Sequence, residues 1–239
     1  MKLERLLRKW GHWGRRKVRE EIRQEKVSVN GRVVRESTVL VGPFDEVSYG
    51  QKVVQQRIPR HLMLHKPEGV VSATKDLEHE TVVDLVAESW SSELHLAGRL
   101  DRFTSGLMVL TNDSFFSERL TSPESRLGKR YRVRCDLPIS VEAKESFEKG
   151  MWFDKEGVQI QPAQVKLLSE RECLLTIFEG KHHQVKRMFA RFGIQVVALH
   201  REAMGWLELD ESLEPGKWRL LSEEEVRGDS SDLGDSSDS

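Results

Sequence analysis

The stretch LAGRLDRFTSGLMVLTND, from Leu96 to Asp113, narrows the choice of fold more than any other in this 239-residue chain. Two apolar runs, Leu94 to Ala97 and Leu107 to Leu110, flank a polar insert. Short apolar runs bounded by Gly, Ser, Asn and Asp read as buried strands joined by a loop. Gly98 to Gly106 then form the loop, with Asp101 near its middle and Arg99 and Arg102 on either side. Loops mounted on a rigid sheet are where chemistry is usually carried. Flanking guanidinium groups favour the ionised form of a carboxylate. An aspartate that serves the turn, between two solvated arginines, fits the same spacing.

The length suffices for one sizeable domain and a small one. A run of about 18 apolar residues, the mark of a membrane-spanning helix, is absent, and MKLERLLRKWGHWGRRK lacks the apolar centre of a signal peptide. Cys135 and Cys173 have no CxxC spacing and are expected to be buried thiols in a cytoplasmic protein. The formal net charge of −1 conceals a polarity. Residues 1–35 hold twelve Lys or Arg against four Glu, a net of +8, whereas residues 222–239 hold seven acids against Arg227, a net of −6. A nucleic-acid-binding end and an acidic tail are the expectation.

Leu3, Leu6, Leu7 and Trp10 mark one face of a first helix, which Gly11 and Gly14 should break. A second helix is expected over about 15–24, with Val18 and Ile22 inward and Arg15, Arg19 and Arg23 stacked as a basic ridge beside Arg16. In KVSVNGRVV, Asn30-Gly31 between valine-rich segments predicts a hairpin with a type I′ turn. A weak strand pattern over 45–60 leads to a linker at Ile58-Pro59-Arg60, and His61 to Lys66 reads as a strand that ends in Lys66-Pro67-x-Gly69. Thr81 and Asp84 have capping-box character and predict a helix over 82–90.

Asn112 or Asp113 can cap a helix that carries Phe116 and Leu120 and ends at Ser122-Pro123. KRYRVRC alternates as a strand with Tyr131, Val133 and Cys135 on one face. A capped helix follows over 140–150, then a pair of strands in GVQIQPAQVKLL and RECLLTIFEG. In EGKHHQVKRMFARFG, Val185, Met188, Phe189 and Phe192 form a buried stripe, with Lys186 at its edge and Arg187 facing away. His182-His183 is not a metal site, because adjacent helical residues diverge and no carboxylate or Cys sits at ligand spacing. His183 is expected to touch RNA or solvent.

Several of these segments together resemble the pseudouridine synthases of the RsuA/RluA type, over residues 1 to about 226. GRLDRFTSGLMVLTND is similar to that family's signature loop, KRYRV to its K-x-Y-x-V strand, EGKHHQVKRM to its E-G-x-x-x-Q-V-[RK]-R-M run and KPEG to its KPxG entry. Residues 1–35 resemble an S4 RNA-binding domain, whose basic ridge would grip phosphates without reading sequence. The resemblance implies Asp101 as the catalytic carboxylate, Tyr131 packed on the target uracil, and Lys186 paired with Asp101, Arg187 being second choice for that pairing. Arg99, Arg102, Lys129, His183, Gln184, His200 and Arg201 are the further RNA contacts it suggests. Lys66 is expected to be structural.

The implied reaction turns uridine into pseudouridine within RNA, without cofactor or metal. The RsuA branch, which modifies one uridine in the 5′ region of small-subunit (16S) ribosomal RNA, is most similar, on the strength of the S4 domain, TSP, HHQVKRMF and LHRE. The alternatives are a 23S enzyme of the RluB/E/F kind and a non-catalytic RNA-binding assembly factor. The expected architecture is α+β: an S4 (helix-helix-hairpin) domain and linker over 1–57, then a catalytic domain over 58–226 with a mixed, mostly antiparallel sheet and flanking helices. A Ser- and Asp-rich acidic tail, expected to be disordered, fills 227–239. A monomer whose partner is ribosomal RNA, free or in an assembly particle, is the default.

Overall fold

The computed structural model describes residues 1–153 and 157–228. The chain forms two compact units, Met1–Pro59 and a second that begins at Arg60. The division falls two residues beyond the expected boundary, within the Ile58-Pro59-Arg60 linker.

In the first unit, α1 (Leu3–Gly11) and α2 (Arg15–Arg23) present Leu3, Leu7, Val18 and Ile22 to a common core with Val27, Val41 and Val47. Gly11 stays helical, and the turn comes one residue later at His12, in the left-handed conformation. The predicted hairpin forms between β1 (Val27–Val29) and β2 (Arg32–Val33), with Asn30 at φ 51° and Gly31 at φ 74°. Two positive φ values are what a type I′ turn demands. β3 (Val47–Tyr49) and β4 (Lys52–Gln55) complete a four-stranded sheet in the order β2-β1-β3-β4.

The second unit is built on a nine-stranded sheet. Its strands are β5 (His61–Lys66), β6 (His95–Ala97), β7 (Ser105–Thr111), β8 (Lys129–Cys135), β11 (Gln164–Ser169), β12 (Glu172–Ile177), β13 (Val196–Met204), β14 (Leu207–Glu208) and β15 (Trp218–Leu220). The order is β11-β12-β8-β13-β7-β5-β15, with β6 added on β7 and β14 on β13. Among the described residues, β13 and β7 run parallel and the other strand pairings in this sheet are antiparallel. β9 (Met151–Phe153) and β10 (Val158–Ile160) form a separate ribbon.

Successive strand residues face opposite sides, and both sides of this sheet are covered. Leu62, Leu64, Met108, Leu110, Tyr131 and Val133 pack on one face with Phe147 of α4 (Val141–Lys149) and Met188 and Phe189 of α5 (Gln184–Ala190). Met63, Leu107, Val109 and Met204 pack on the other with Phe116 and Leu120 of α3 (Ser114–Thr121). An unbroken apolar run such as LMVL in β7 is therefore required, because every position is buried; each such side chain contributes about 2 kcal/mol of burial. Asp113 caps α3 by accepting from the Phe115 N–H, and Ser140 caps α4 by accepting from that of Ala143. Cys135 and Cys173 are buried free thiols, pushed up by burial to about 11 and about 12.

The helix expected over 82–90 does not form. The Asp84 carboxylate accepts from the Thr81 backbone and hydroxyl, and the Asp84 N–H donates back to Thr81 Oγ1, so the capping contacts are present. Val82, Val83 and Val86 are drawn into the core, and the chain leaves the turn at Ala87 with φ 54°. The backbone bonds there, Leu85 N–H to the Thr81 carbonyl and Val86 N–H to that of Val83, make turns that the left-handed Ala87 ends before a helix can extend. At the far end, Arg227 closes the short helix α6 (Glu223–Arg227), so the expected tail begins later; residues 229–239 of it lie outside the described residues.

Candidate active site

The connection from β6 to β7 carries Asp101, and its backbone is anchored at several points. Ser72 Oγ donates to the Leu100 carbonyl at 2.6 Å and accepts from the Leu100 N–H at 3.0 Å. The Gly69 N–H donates to the Arg102 carbonyl. Lys66, at the end of β5, is fully buried, and its ammonium donates to the carbonyls of Pro67, Arg102 and Thr104 at 2.9, 3.1 and 2.9 Å. The Lys-Pro-x-Gly turn is thus the clamp that holds the aspartate loop. Burial pushes the Lys66 ammonium down to about 8, opposed by the nearby charges of Glu68 and Asp101.

Asp101 opens onto a cleft of about 610 Å³. Tyr131, 7 % exposed, contributes to its lining from β8, and Leu199 and Arg201 contribute from β13. The loop before α5 closes one side. There His183 adopts the left-handed conformation at φ 50°, stacks on His182 and brings Nε2 within 3.4 Å of Asp101 Oδ1. Five cations line the cleft, Arg99, Lys129, Lys181, Lys186 and Arg201, against the carboxylates of Asp101 and Glu179. Burial lowers the Lys129 ammonium, and the charge of Arg201 lowers it further.

Of the residues singled out from the sequence, Arg99, Asp101, Lys129, Tyr131, His183, Gln184, Lys186 and Arg201 meet in this cleft. Lys186 reaches the cleft without an ion pair to Asp101; among the described residues His183 holds that place. The left-handed turn at His183 swings its ring toward the loop, and Lys186 follows one turn later on α5. Gln184 is 3 % exposed, with its side-chain nitrogen on Glu179 and its oxygen on the Lys181 N–H, so it braces the loop rather than offering a free amide.

Arg102 turns away from Asp101: its guanidinium meets the Gly69 carbonyl and His79. Arg187 lies over the Phe153 ring, 4.1 Å from its centroid, outside the cleft. His200 faces the other side of the sheet from its neighbours Leu199 and Arg201. It pairs with Ser105 Oγ at 2.9 Å and packs on His65. Strand alternation forbids all three residues from facing one way. Arg15, Arg16, Arg19 and Arg23 belong to the first unit; there Arg15 and Arg19 both engage Glu4. Lys66, expected to be structural, clamps the loop through three backbone carbonyls; what the lysine before a Pro-Gly turn could not signal is which distant segment it holds.

Residues 60–191 match the family of RNA pseudouridylate synthases. The ribosomal small subunit pseudouridine synthase A of Pseudomonas aeruginosa is 44% identical over 227 residues, 95% of this chain and 99% of that protein. The protein of the same name from Escherichia coli K12 is 42% identical over 207 residues, covering 86% and 90%. The crystal structure of a pseudouridylate synthase, 34% identical, superposes with a TM-score of 0.69 over 95% of this chain and 98% of that one. With nearly the full length of both sequence and fold shared, the chain belongs to the RNA pseudouridylate synthase family.

Proposed function

We propose that this protein isomerises one uridine of small-subunit (16S) ribosomal RNA to pseudouridine, with Asp101 as the catalytic carboxylate. The C1′–N1 bond breaks, the uracil turns, C5 joins C1′, C5 gives up its proton and N1 gains one. Nothing is oxidised or reduced in sum. The observation that carries the reading is that Asp101, from the β6–β7 connection, and Tyr131, from β8, line one cleft of about 610 Å³ together with five cations. That volume admits a nucleoside but no duplex, so the target must be flipped out of its stack.

In this reading Asp101 acts on the ribose, as nucleophile at C1′ or as base, with its loop held rigid by Lys66 and Ser72. Tyr131 stacks on the ring. His183 holds the carboxylate in the free enzyme and yields to the incoming sugar, and Lys186 supplies positive charge at the same cleft. Arg99 meets the flanking phosphate. The first unit acts as an S4-type RNA-binding module, and the enzyme works as a cytoplasmic monomer on RNA within an assembling particle or free. The names of the relatives from Pseudomonas aeruginosa and Escherichia coli support the small-subunit choice.

Pseudouridine mapping by carbodiimide-blocked primer extension tests the reading, in cells lacking the gene and in cells complemented with wild type or Asp101→Asn. One stop in 16S RNA that returns with wild type alone is expected. A returning 23S stop would keep the chemistry and change the substrate, and no stop anywhere would refute the function.

A further inference from the structure

Arg201 is 1 % exposed, and among the described residues no carboxylate pairs with it. Its Nε–H donates to the Leu107 carbonyl at 2.8 Å, while Nη2 is buried with no hydrogen-bond partner. The other buried side-chain atom without a partner among the described residues is Thr104 Oγ1, and both residues line the Asp101 cleft. A buried charge is costly unless it is paired, and unmet buried donors are rare in native proteins.

The backbone is built to keep this arginine in place. β13 runs parallel to β7 there, with Arg201 opposite Gly106, and a bulge follows between Arg201 and Ala203. A Cβ on Gly106 would strike the carbonyl and amide of Arg201, so only glycine lets the two strands approach. Lys129, half-buried and lining the same cleft, is close enough to feel the Arg201 charge. Two cations therefore line the cleft together, Arg201 buried and Lys129 half-buried. The phosphates of a bound RNA stay in solvent; what can enter far enough to meet a buried guanidinium is the flat edge of a flipped nucleobase, which carries carbonyl acceptors.

We propose that Arg201, seconded by Lys129, binds the carbonyl edge of the flipped uracil and stabilises the negative charge that the ring acquires. The inference rests on the function proposed above. When C1′–N1 breaks, its electron pair leaves with N1 and is shared by the ring carbonyl oxygens, which accept hydrogen bonds from the guanidinium. No proton leaves Arg201. The pair is returned when C5 bonds to C1′, after which C5 loses its proton. A fixed donor aimed at developing charge is worth most in a site that excludes water.

The test uses the full-length protein and a 16S RNA fragment that wild type modifies. In single-turnover assays Arg201→Gln should form pseudouridine about 100-fold more slowly, with RNA affinity kept within about threefold. Arg201→Lys should recover part of the rate, and Lys129→Met, which leaves the strand seam intact, should lose about tenfold. The second readout is the affinity for the fragment with the target uridine against the same fragment with an abasic ribose. Wild type should prefer the uridine, and Arg201→Gln should lose most of that preference. A wild-type rate in both Arg201→Gln and Lys129→Met overturns the proposal. So does a slow Arg201→Gln with undiminished preference for the base, since that describes a structural brace. If wild type itself modifies no RNA, the function beneath the inference falls with it.

Discussion

Glu21 in the first unit and Arg201 in the second are both buried to 1 % exposure, and the two surroundings answer the charge in opposite ways. Glu21 receives hydrogen bonds from Lys17, from Lys26 at 2.8 Å and from the Tyr49 hydroxyl at 2.5 Å. These partners hold its carboxyl down at about 2. Arg201 keeps one bond to a carbonyl and a bare Nη2. A charge whose partners are all within the chain strengthens that chain. A charge left short can be met by something outside it, and the shortfall lies in the cleft that Asp101, the group assigned to chemistry, also lines.

The largest expected effect lies on the unsatisfied side. Asp101→Asn keeps the shape of the side chain and removes its charge. Turnover should fall by more than roughly a thousandfold, while RNA affinity changes only a few-fold and thermal unfolding is unchanged. A matching loss of affinity or stability would make Asp101 a structural group and erase the contrast.

Gly106→Ala comes next. At φ 109°, with the Arg201 amide 2.6 Å from the added Cβ, it should cost roughly 3 kcal/mol or more in denaturant unfolding. Gly31→Ala in the first unit, at φ 74° with open space around it, should cost roughly 1 kcal/mol. Equal costs would mean that the β7–β13 seam gives way easily and does not fix Arg201.

Glu21→Gln turns the satisfied site into an unsatisfied one and should cost roughly 2 kcal/mol, with increased hydrogen exchange confined to residues 1–59. The acid limb has a definite sign. With its folded value lowered from 4.5 to about 2, Glu21 adds stability that is complete above about pH 4.5 and is lost as pH falls toward 2. In the variant that part of the pH dependence should vanish. Uniform exchange across both units would instead mean that Glu21 supports more than its own core.

These two sites also mark how far the sequence can be read. The strand-loop-strand around Asp101, the Asn30-Gly31 hairpin and the stripe of Val185, Met188 and Phe189 follow from local periodicity, and the structure carries all three. The helix over 82–90 fails because its capping residues close a first turn and say nothing of the left-handed residue at Ala87 that ends it. Grouping His200 with Arg201 overlooks the strand alternation that separates them. The Lys66 clamp spans 36 and 38 residues to reach its carbonyls, and the contact of His183 with Asp101 depends on one left-handed residue. Such long-range pairings leave no local pattern.

Lys66 lies between the two extremes, since its hydrogen bonds all go to carbonyl dipoles. With its folded value lowered to about 8 from 10.5, the folded chain loses this proton before the unfolded chain does. Stability from this group therefore rises between about pH 8 and pH 10.5 rather than falling. The loop contacts go the other way, because a neutral amine has too few hydrogens for three carbonyls. Activity should decline above about pH 8 while the melting temperature does not, and Lys66→Met should be slow at every pH without that limb. A parallel fall of activity and melting temperature would assign the limb to unfolding.

The smallest effect tests how far satisfaction extends across the surface of the first unit. Arg15 and Arg19 are both engaged with Glu4, whereas among the described residues no acid partner holds Arg16 or Arg23 within 4.0 Å. Exposed pairs of this kind contribute little to stability, but they lower the net charge that a phosphate meets. Arg16→Gln with Arg23→Gln should therefore weaken RNA binding at low salt. The slope of log K against log salt should fall by roughly 1 for each phosphate that is no longer neutralised. Arg15→Gln with Arg19→Gln should change the slope less, because Glu4 is set free as they are removed. If the two double variants shift the slope alike, the ion pairs with Glu4 do not persist on RNA. The ridge then acts as a continuous band of charge, and the distinction between met and unmet groups ends at the buried sites.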